Sequence, residues 1–198
     1  MVILTDCDGV LLNWEYAFDV WMQRKGYNKI ENARFQYGID QRYGIDKKRK
    51  EDLIQTFNES AMIGFLPPLR DAIEYVQKLH REHGYVFHVI TSLSLDPSAT
   101  QLRTQNLQKL FGETVFEKFV YLDTGADKNE ELSKYAGKNY WWVEDKIENA
   151  EIGHSFGLRP ILMEHAHNMN YKNFPRAKDW KEIYKTVTAQ NFCESIPK

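Results

Sequence analysis

Val2-Ile3-Leu4-Thr5-Asp6-Cys7-Asp8-Gly9 is the stretch that orders everything after it. A short apolar run leads straight into two acids and a glycine. An unbroken apolar run of this length fits a strand buried on both faces. The acids then stand where that strand ends. Further β-branched or aromatic runs recur at 85–91, 119–122, 140–143 and 160–163. Helical patterns separate them. Leu69, Ala72, Ile73, Val76 and Leu79 share one face after Pro67-Pro68, predicting a helix over 69–83. Asp96 followed by Pro97 reads as an N-cap and first helical position, opening a helix to about residue 110. Asp127 is placed to cap a helix that Gly137 ends. Helices over 146–156 and 179–189 complete the alternation. The pattern predicts a doubly wound, Rossmann-like α/β core with a parallel sheet.

One region departs from it. Between the first and second strands, residues 14–65 show helical spacing and no good strand. Trp14, Phe18, Trp21 and Met22 make one face, and Leu53, Ile54, Phe57 and Met62 suggest another. Roughly fifty residues are too many for a structureless loop in a compact domain. The expected organisation is therefore a core of residues 1–13 and 66–198 carrying a small helical cap at 14–65.

Composition narrows the classes. The chain has 198 residues, 42% of them hydrophobic, and a net charge of -2. That supports a real core and gives no single-signed field of the kind that draws nucleic acid or a membrane surface. Two cysteines, Cys7 and Cys193, have no metal-type spacing and suggest a reducing compartment. No apolar stretch approaches the roughly 20 residues of a membrane span, and the start lacks the pattern of a secretory leader. A cytoplasmic location is expected. The sequence leaves oligomeric state open.

Ligands of open parallel α/β sheets bind at the carboxyl ends of the strands. Asp6 and Asp8 follow the first predicted strand, and Thr91 and Ser92 end the second. Gly125-Ala126-Asp127-Lys128 follows the third, and Glu144-Asp145 the fourth. Taken singly, each fits an ordinary turn, strand end, surface charge or helix start. Together they offer carboxylates, a hydroxyl and an ammonium to one point, which is the inventory of phosphoryl transfer. Asp6 can attack phosphorus. Asp6 and Asp145 can offer oxygen to Mg2+, which offsets repulsion between the acids and a phosphate. Thr91 and Lys128 can hold phosphoryl oxygens. Asp8 can exchange the proton that the leaving group and water need.

These segments resemble the motifs of the haloacid dehalogenase-like phosphatase superfamily, over most of the chain. Asp6-Cys7-Asp8-Gly9-Val10-Leu11 is similar to its first motif and Val89-Ile90-Thr91-Ser92 to its second. Lys128 supplies the lysine of the third, and Val143-Glu144-Asp145-Lys146 is similar to the acidic fourth. The resemblance implies Asp6 as nucleophile, Asp8 as acid and base, and Thr91 and Lys128 as phosphate holders. It implies Mg2+ on Asp6, Asp145 and the backbone carbonyl of Asp8. Glu144 stands where the family commonly has Asp, which leaves Asp145 as the metal ligand and the role of Glu144 open.

An insert at this place resembles the family's type 1 cap. Phe65-Leu66-Pro67-Pro68-Leu69 and Gly9-Val10-Leu11-Leu12-Asn13-Trp14 resemble the 5'(3')-deoxyribonucleotidase branch. That branch implies a nucleoside monophosphate as substrate, with Gly9, Trp14, Phe18, Ser92 and Lys128 at the binding site. Cap residues Phe35, Tyr37 and Tyr43 are further candidates for an aromatic clamp. For Trp14 and Phe18, packing between cap and core is the competing reading.

Three other functions stay open: a sugar-phosphate or general metabolite phosphatase, a phosphatase of polynucleotide ends, and a binding protein that kept the fold without turnover. The basic run Lys47-Lys48-Arg49-Lys50 alone speaks for polynucleotides, and a solvated helix face explains it as well. His165 and His167, two apart after the fifth strand, are expected to face opposite sides of an exposed loop.

Overall fold

The computed structural model describes residues 1–33 and 38–194, with side chains to residue 189. Six parallel strands form one sheet in the order β3-β2-β1-β4-β5-β6. They are β1 (Val2–Thr5), β2 (Val86–Ser92), β3 (Phe116–Leu122), β4 (Trp141–Glu144), β5 (Arg159–Met163) and β6 (Arg176–Ala177). This is the doubly wound order, with its switch point between β1 and β4. Asp6 leaves β1 at that point, and its N–H donates to Val143 O at 2.9 Å.

The apolar runs alternate between two buried faces. Ile3, Phe87, Val89, Trp141, Val143 and Ile161 enter one core. Helices α4 (Ala72–His83), α5 (Pro97–Phe111) and α8 (Trp180–Glu194) cover that side. Leu4, Ile90 and Trp142 point the other way, onto Leu132 of α6 (Asn129–Ser133) and Leu158. Helix α7 (Ile147–Ser155) lies close on that side, because a Cβ on Gly153 would come within 2.5 Å of Trp142 Cδ1.

Differences from the sequence reading sit at edges and helix starts. β3 begins three residues earlier than the predicted 119–122, because Glu117 and Lys118 face solvent on an edge strand and interrupt the apolar run. β6, at the opposite edge, has two residues and no run to read. Helix α4 starts at Ala72 because Arg70 takes φ +45°, a left-handed conformation that no helix continues. Asp96 caps α5 as expected, accepting from Ala99 N at 2.8 Å.

Between β1 and α4 the described chain is helical: α1 (Trp14–Arg24), α2 (Ile39–Tyr43), α3 (Lys47–Asn58) and a 3-10 turn at Ala61–Phe65. Asn13 and Asp46 cap α1 and α3 through their side chains. Four rings hold these helices together. Trp14 stacks on Phe18 at 4.7 Å and 10°, and Phe57 meets Trp14, Phe18 and Trp21 edge-on at 5.3–5.5 Å. Such offset and edge-on pairs add to plain area burial. The cluster is continuous with the core under the sheet. Three of the four basic residues at 47–50 bind neighbours here: Lys47 to Glu51, Arg49 to Tyr27 Oη, and Lys50 to Asp40. No helix among the described residues is long and apolar enough to cross a membrane.

Candidate active site

The loop after β1 folds back on itself around one carbonyl. Val10, Leu11 and Leu12 all direct their N–H groups to Cys7 O, and Trp180 Nε1 donates to Val10 O at 2.8 Å. Gly9 takes φ +74°, and a Cβ there would lie 2.8 Å from Asp145 Oδ2. Glycine is therefore what lets the loops after β1 and β4 close on each other.

Asp6, Lys128 and Glu144 meet in the buried floor. Lys128 Nζ lies 2.8 Å from both Asp6 Oδ1 and Glu144 Oε2. Carboxylate oxygens of Asp6, Glu144 and Asp145 all fall within 4.8 Å of one another. Burial, then the charge of Glu144, pushes the Asp6 carboxyl from its usual 3.8 up to about 6. Burial, then the charge of Asp6, does the same to Asp145. Burial alone would lower Lys128, but Asp6 and Glu144 outweigh it and hold the ammonium above its ordinary range. The floor thus carries one fixed cation among three acids, an excess of negative charge that invites another cation.

The Glu144 carboxylate is already engaged by protein donors. It is fully buried and accepts from Lys128 Nζ, Asn149 Nδ2 and the N–H groups of Asp145 and Lys146. One of its oxygens takes the two N–H groups just ahead of α7 and the other holds Lys128. Asp6 and Asp145 are the acids left for a metal, a donor set of hard oxygens that suits Mg2+.

Thr91 is 1% exposed. Thr5 aligns with Val89, so Thr91 ends beside the turn that follows β1. Ser92 directs its hydroxyl to Ala126 O at 2.7 Å, tying the end of β2 to the loop that carries Lys128. Cys7 is buried, and burial pushes its thiol up to about 12, which leaves no nucleophile there. Asp8 stands apart from the floor group: its Oδ1 accepts from Arg103 Nη1 at 2.6 Å. Burial raises the Asp8 carboxyl above its ordinary range, against the opposing charge of Arg103.

The aromatic candidates separate. Phe18 is 1% exposed, covered by Trp14 on one face and ringed by Trp21, Tyr43 and Phe57. It is a packing residue of the helical insert, as is Tyr43, whose hydroxyl donates to Asp19. Trp14 is half-buried and its indole N–H donates to Asn58 Oδ1 at 2.9 Å. Asn58 in turn donates to Leu93 O at 2.9 Å, just past Thr91, and Thr124 Oγ1 donates to the same carbonyl at 2.6 Å. Phe35 and Tyr37 lie outside the described residues.

Three residues escaped the sequence reading. His165 and His167 are not an exposed pair on opposite sides. Their rings stack at 5.6 Å and 6°, because Ala166–Asn168 turns as a 3-10 helix instead of continuing extended. His165 Nε2 donates to Gly9 O at 2.6 Å, and burial lowers its pKa, which favours the neutral ring. His167 Nε2 and Asn168 Nδ2 both donate to Asp145 O. The histidines thus pin the backbone of both acidic loops. Arg103 is the third, and its signal was present: it stands at the i+4 step between buried Ala99 and Leu107 on the core face of α5.

No protein-family model matches the chain. An uncharacterized 32.4 kDa protein of Enterobacteria phage T4 is 30% identical over 146 residues, covering 70% of this chain and 50% of that protein. The chain therefore spans about half the length of the curated relative it matches. Among solved structures, a haloacid dehalogenase-like hydrolase from Streptococcus pneumoniae superposes with a TM-score of 0.64 at 15% identity, covering 94% of this chain and 97% of that one. A hydrolase of the same superfamily from Deinococcus radiodurans, holding phosphate and sodium, gives 0.64 at 16% identity over 96% of both chains. CbbY from Rhodobacter sphaeroides, in complex with phosphate, gives 0.56 at 16% identity, covering 92% and 95%. The fold is that of haloacid dehalogenase-like hydrolases.

Proposed function

We propose that the chain hydrolyses phosphomonoesters through a phosphate held covalently on Asp6. The observation that carries this reading is the pairing of Asp6 with Lys128 at 2.8 Å beside Asp145 at the sheet's switch point. Lys128 is fixed by Glu144, so it neutralises charge without having to reorganise. Asp6 attacks phosphorus while Lys128 and Thr91 hold the phosphoryl oxygens. Asp8 gives a proton to the leaving oxygen and later takes one from water. Asp6, Asp145 and the carbonyl of Asp8 are the groups to hold Mg2+, which when bound offsets the charge between the acids and the phosphate. The phosphate held by two structural neighbours supports the substrate class.

Among phosphomonoesters we favour nucleoside monophosphates, with the exposed part of Trp14 beside the base. Phe18 is withdrawn from that role by its burial. Three of the four basic residues at 47–50 bind neighbours within the insert, so the run lends a polynucleotide end little support.

The test is phosphate release from a panel of phosphorylated metabolites with and without Mg2+, with an acid-quenched search for phosphate bound to Asp6. Turnover of no member of the panel overturns the reading. Trp14→Ala is expected to slow nucleotide turnover more than aryl phosphate turnover. Equal slowing removes the nucleotide and leaves the phosphatase.

A further inference from the structure

Helix α5 turns Ala99, Arg103, Asn106, Leu107 and Phe111 into the core. Arg103 is 0% exposed, at a position where an apolar side chain would ordinarily pack. Its Nη1 donates to Asp8 Oδ1 at 2.6 Å and to Cys7 Sγ at 3.0 Å. Its Nε and Nη2 are buried with no hydrogen-bond partner among the described residues. Stability does not explain this choice. An ion pair offsets much of what a buried guanidinium loses in solvation, but replacing the whole pair by apolar side chains is often neutral or stabilising. The partner is mostly buried too, with the Asp8 side chain 23% exposed.

We propose that Arg103 is a positioning residue for proton transfer: it anchors Asp8 Oδ1 so that Oδ2 faces the leaving group and then the water. This rests on the phosphatase reading above. In the first half-reaction an Asp6 oxygen bonds to phosphorus and the bond from phosphorus to the ester oxygen breaks. The electron pair stays on that oxygen, which takes the proton from Asp8 Oδ2 and departs as the alcohol. In the second, Asp8 takes a proton from water and the water oxygen bonds to phosphorus. The bond from phosphorus to Asp6 breaks, and its electron pair restores the Asp6 carboxylate. Both transfers pass through one oxygen, so both depend on Asp8 not turning about its side-chain bond. A misplacement of this kind slows the chemistry without emptying the site.

Leaving groups distinguish this role from a structural one. A nitrophenolate leaves without a proton, whereas a primary alcohol needs one. The experiment compares first-turnover release of both leaving groups, with melting temperature, in wild type, Arg103→Met, Arg103→Lys, Asp8→Asn and the Asp8→Asn double variants. For Arg103→Met, alcohol release is expected to slow about 10- to 100-fold and nitrophenolate release by less than about 3-fold, a partial loss of the roughly 10²–10⁴-fold that general acid help supplies. Melting temperature is expected to fall, because Asp8 loses its partner, and Arg103→Lys to recover part of the alcohol rate and of the melting temperature. In the Asp8→Asn background, replacing Arg103 is expected to change nothing further. Equal slowing with both leaving groups, or additive losses in the double variant, overturns the proposal. If Arg103→Met does not fold, Arg103→Lys carries the same comparison. A wild type active on aryl phosphate with a flat response refutes this inference alone; a wild type inert on every phosphomonoester refutes the phosphatase reading and this inference with it.

Discussion

The floor around Asp6 and the ring cluster around Phe57 are both buried, and they are built on opposite principles. At the floor, three acids and a lysine lose hydration and are only partly repaid by one another. In the insert, Trp14, Phe18, Trp21 and Phe57 gain by burial and by ring geometry. At the floor the proposed chemistry comes at the expense of stability; in the insert the rings supply stability, with only the exposed part of Trp14 left to meet a substrate. Substitutions in the two should therefore move activity and stability independently.

The largest effect expected is on activity at the floor. Asp6→Asn should lower Mg2+-dependent aryl phosphate hydrolysis by about 10⁴-fold or more, as loss of a nucleophile does. Its melting temperature should stay level or rise, because Lys128 keeps Glu144 and one buried charge is gone. Substantial residual turnover would end the covalent reading of Asp6. Phe57→Ala should do the reverse. Phe57 is 0% exposed, and its loss should cost about 3–5 kcal/mol in denaturant unfolding, with little change in aryl phosphate turnover per folded molecule. A chemical loss as large as the stability loss would join the two regions.

Gly9→Ala tests the seam between the acidic loops. The added Cβ meets Asp145 Oδ2 at 2.8 Å in a backbone that disfavours a side chain. A cost of about 1–3 kcal/mol is expected, with activity falling alongside it. The smallest effect concerns pH. Asp6 and Asp145 hold protons to about pH 6 in the folded chain, against an ordinary 3.8. The folded state thus binds more protons than the unfolded one between about pH 4 and 6, so metal-free stability falls as pH rises through that window. Mg2+ should raise the melting temperature more at pH 7.5 than at pH 5. Equal stabilisation at both values would count against Asp6 and Asp145 as its ligands.

The same contrast explains what could be read from the sequence. Strands buried on both faces announce themselves as apolar runs, so β1, β2, β4 and β5 stood out. β3 was cut short by Glu117 and Lys118 on its exposed edge, and β6 has no run at all. Acids at strand ends were legible because topology brings strand ends together whatever the details. The part Glu144 plays was not, because only the folded chain shows its carboxylate taken up by Lys128, Asn149 and the N–H groups of Asp145 and Lys146. His165 and His167 were missed by assuming an extended chain where a 3-10 turn places both rings on one side. Helical spacing assigned Trp14 and Phe18 to one face, but spacing is silent on whether rings meet a ligand or one another.

Leu93 O links the two regions, and its two donors have a consequence for how they come apart. Asn58 reaches it from the insert and Thr124 from the loop after β3. A buried carbonyl with one donor becomes an orphan when that donor leaves, at a cost of about 1–3 kcal/mol. This one keeps Thr124. Were the insert to part from the core at Leu93, Asn58 would lose its acceptor but the carbonyl would keep the Thr124 hydroxyl, so the backbone there would stay satisfied.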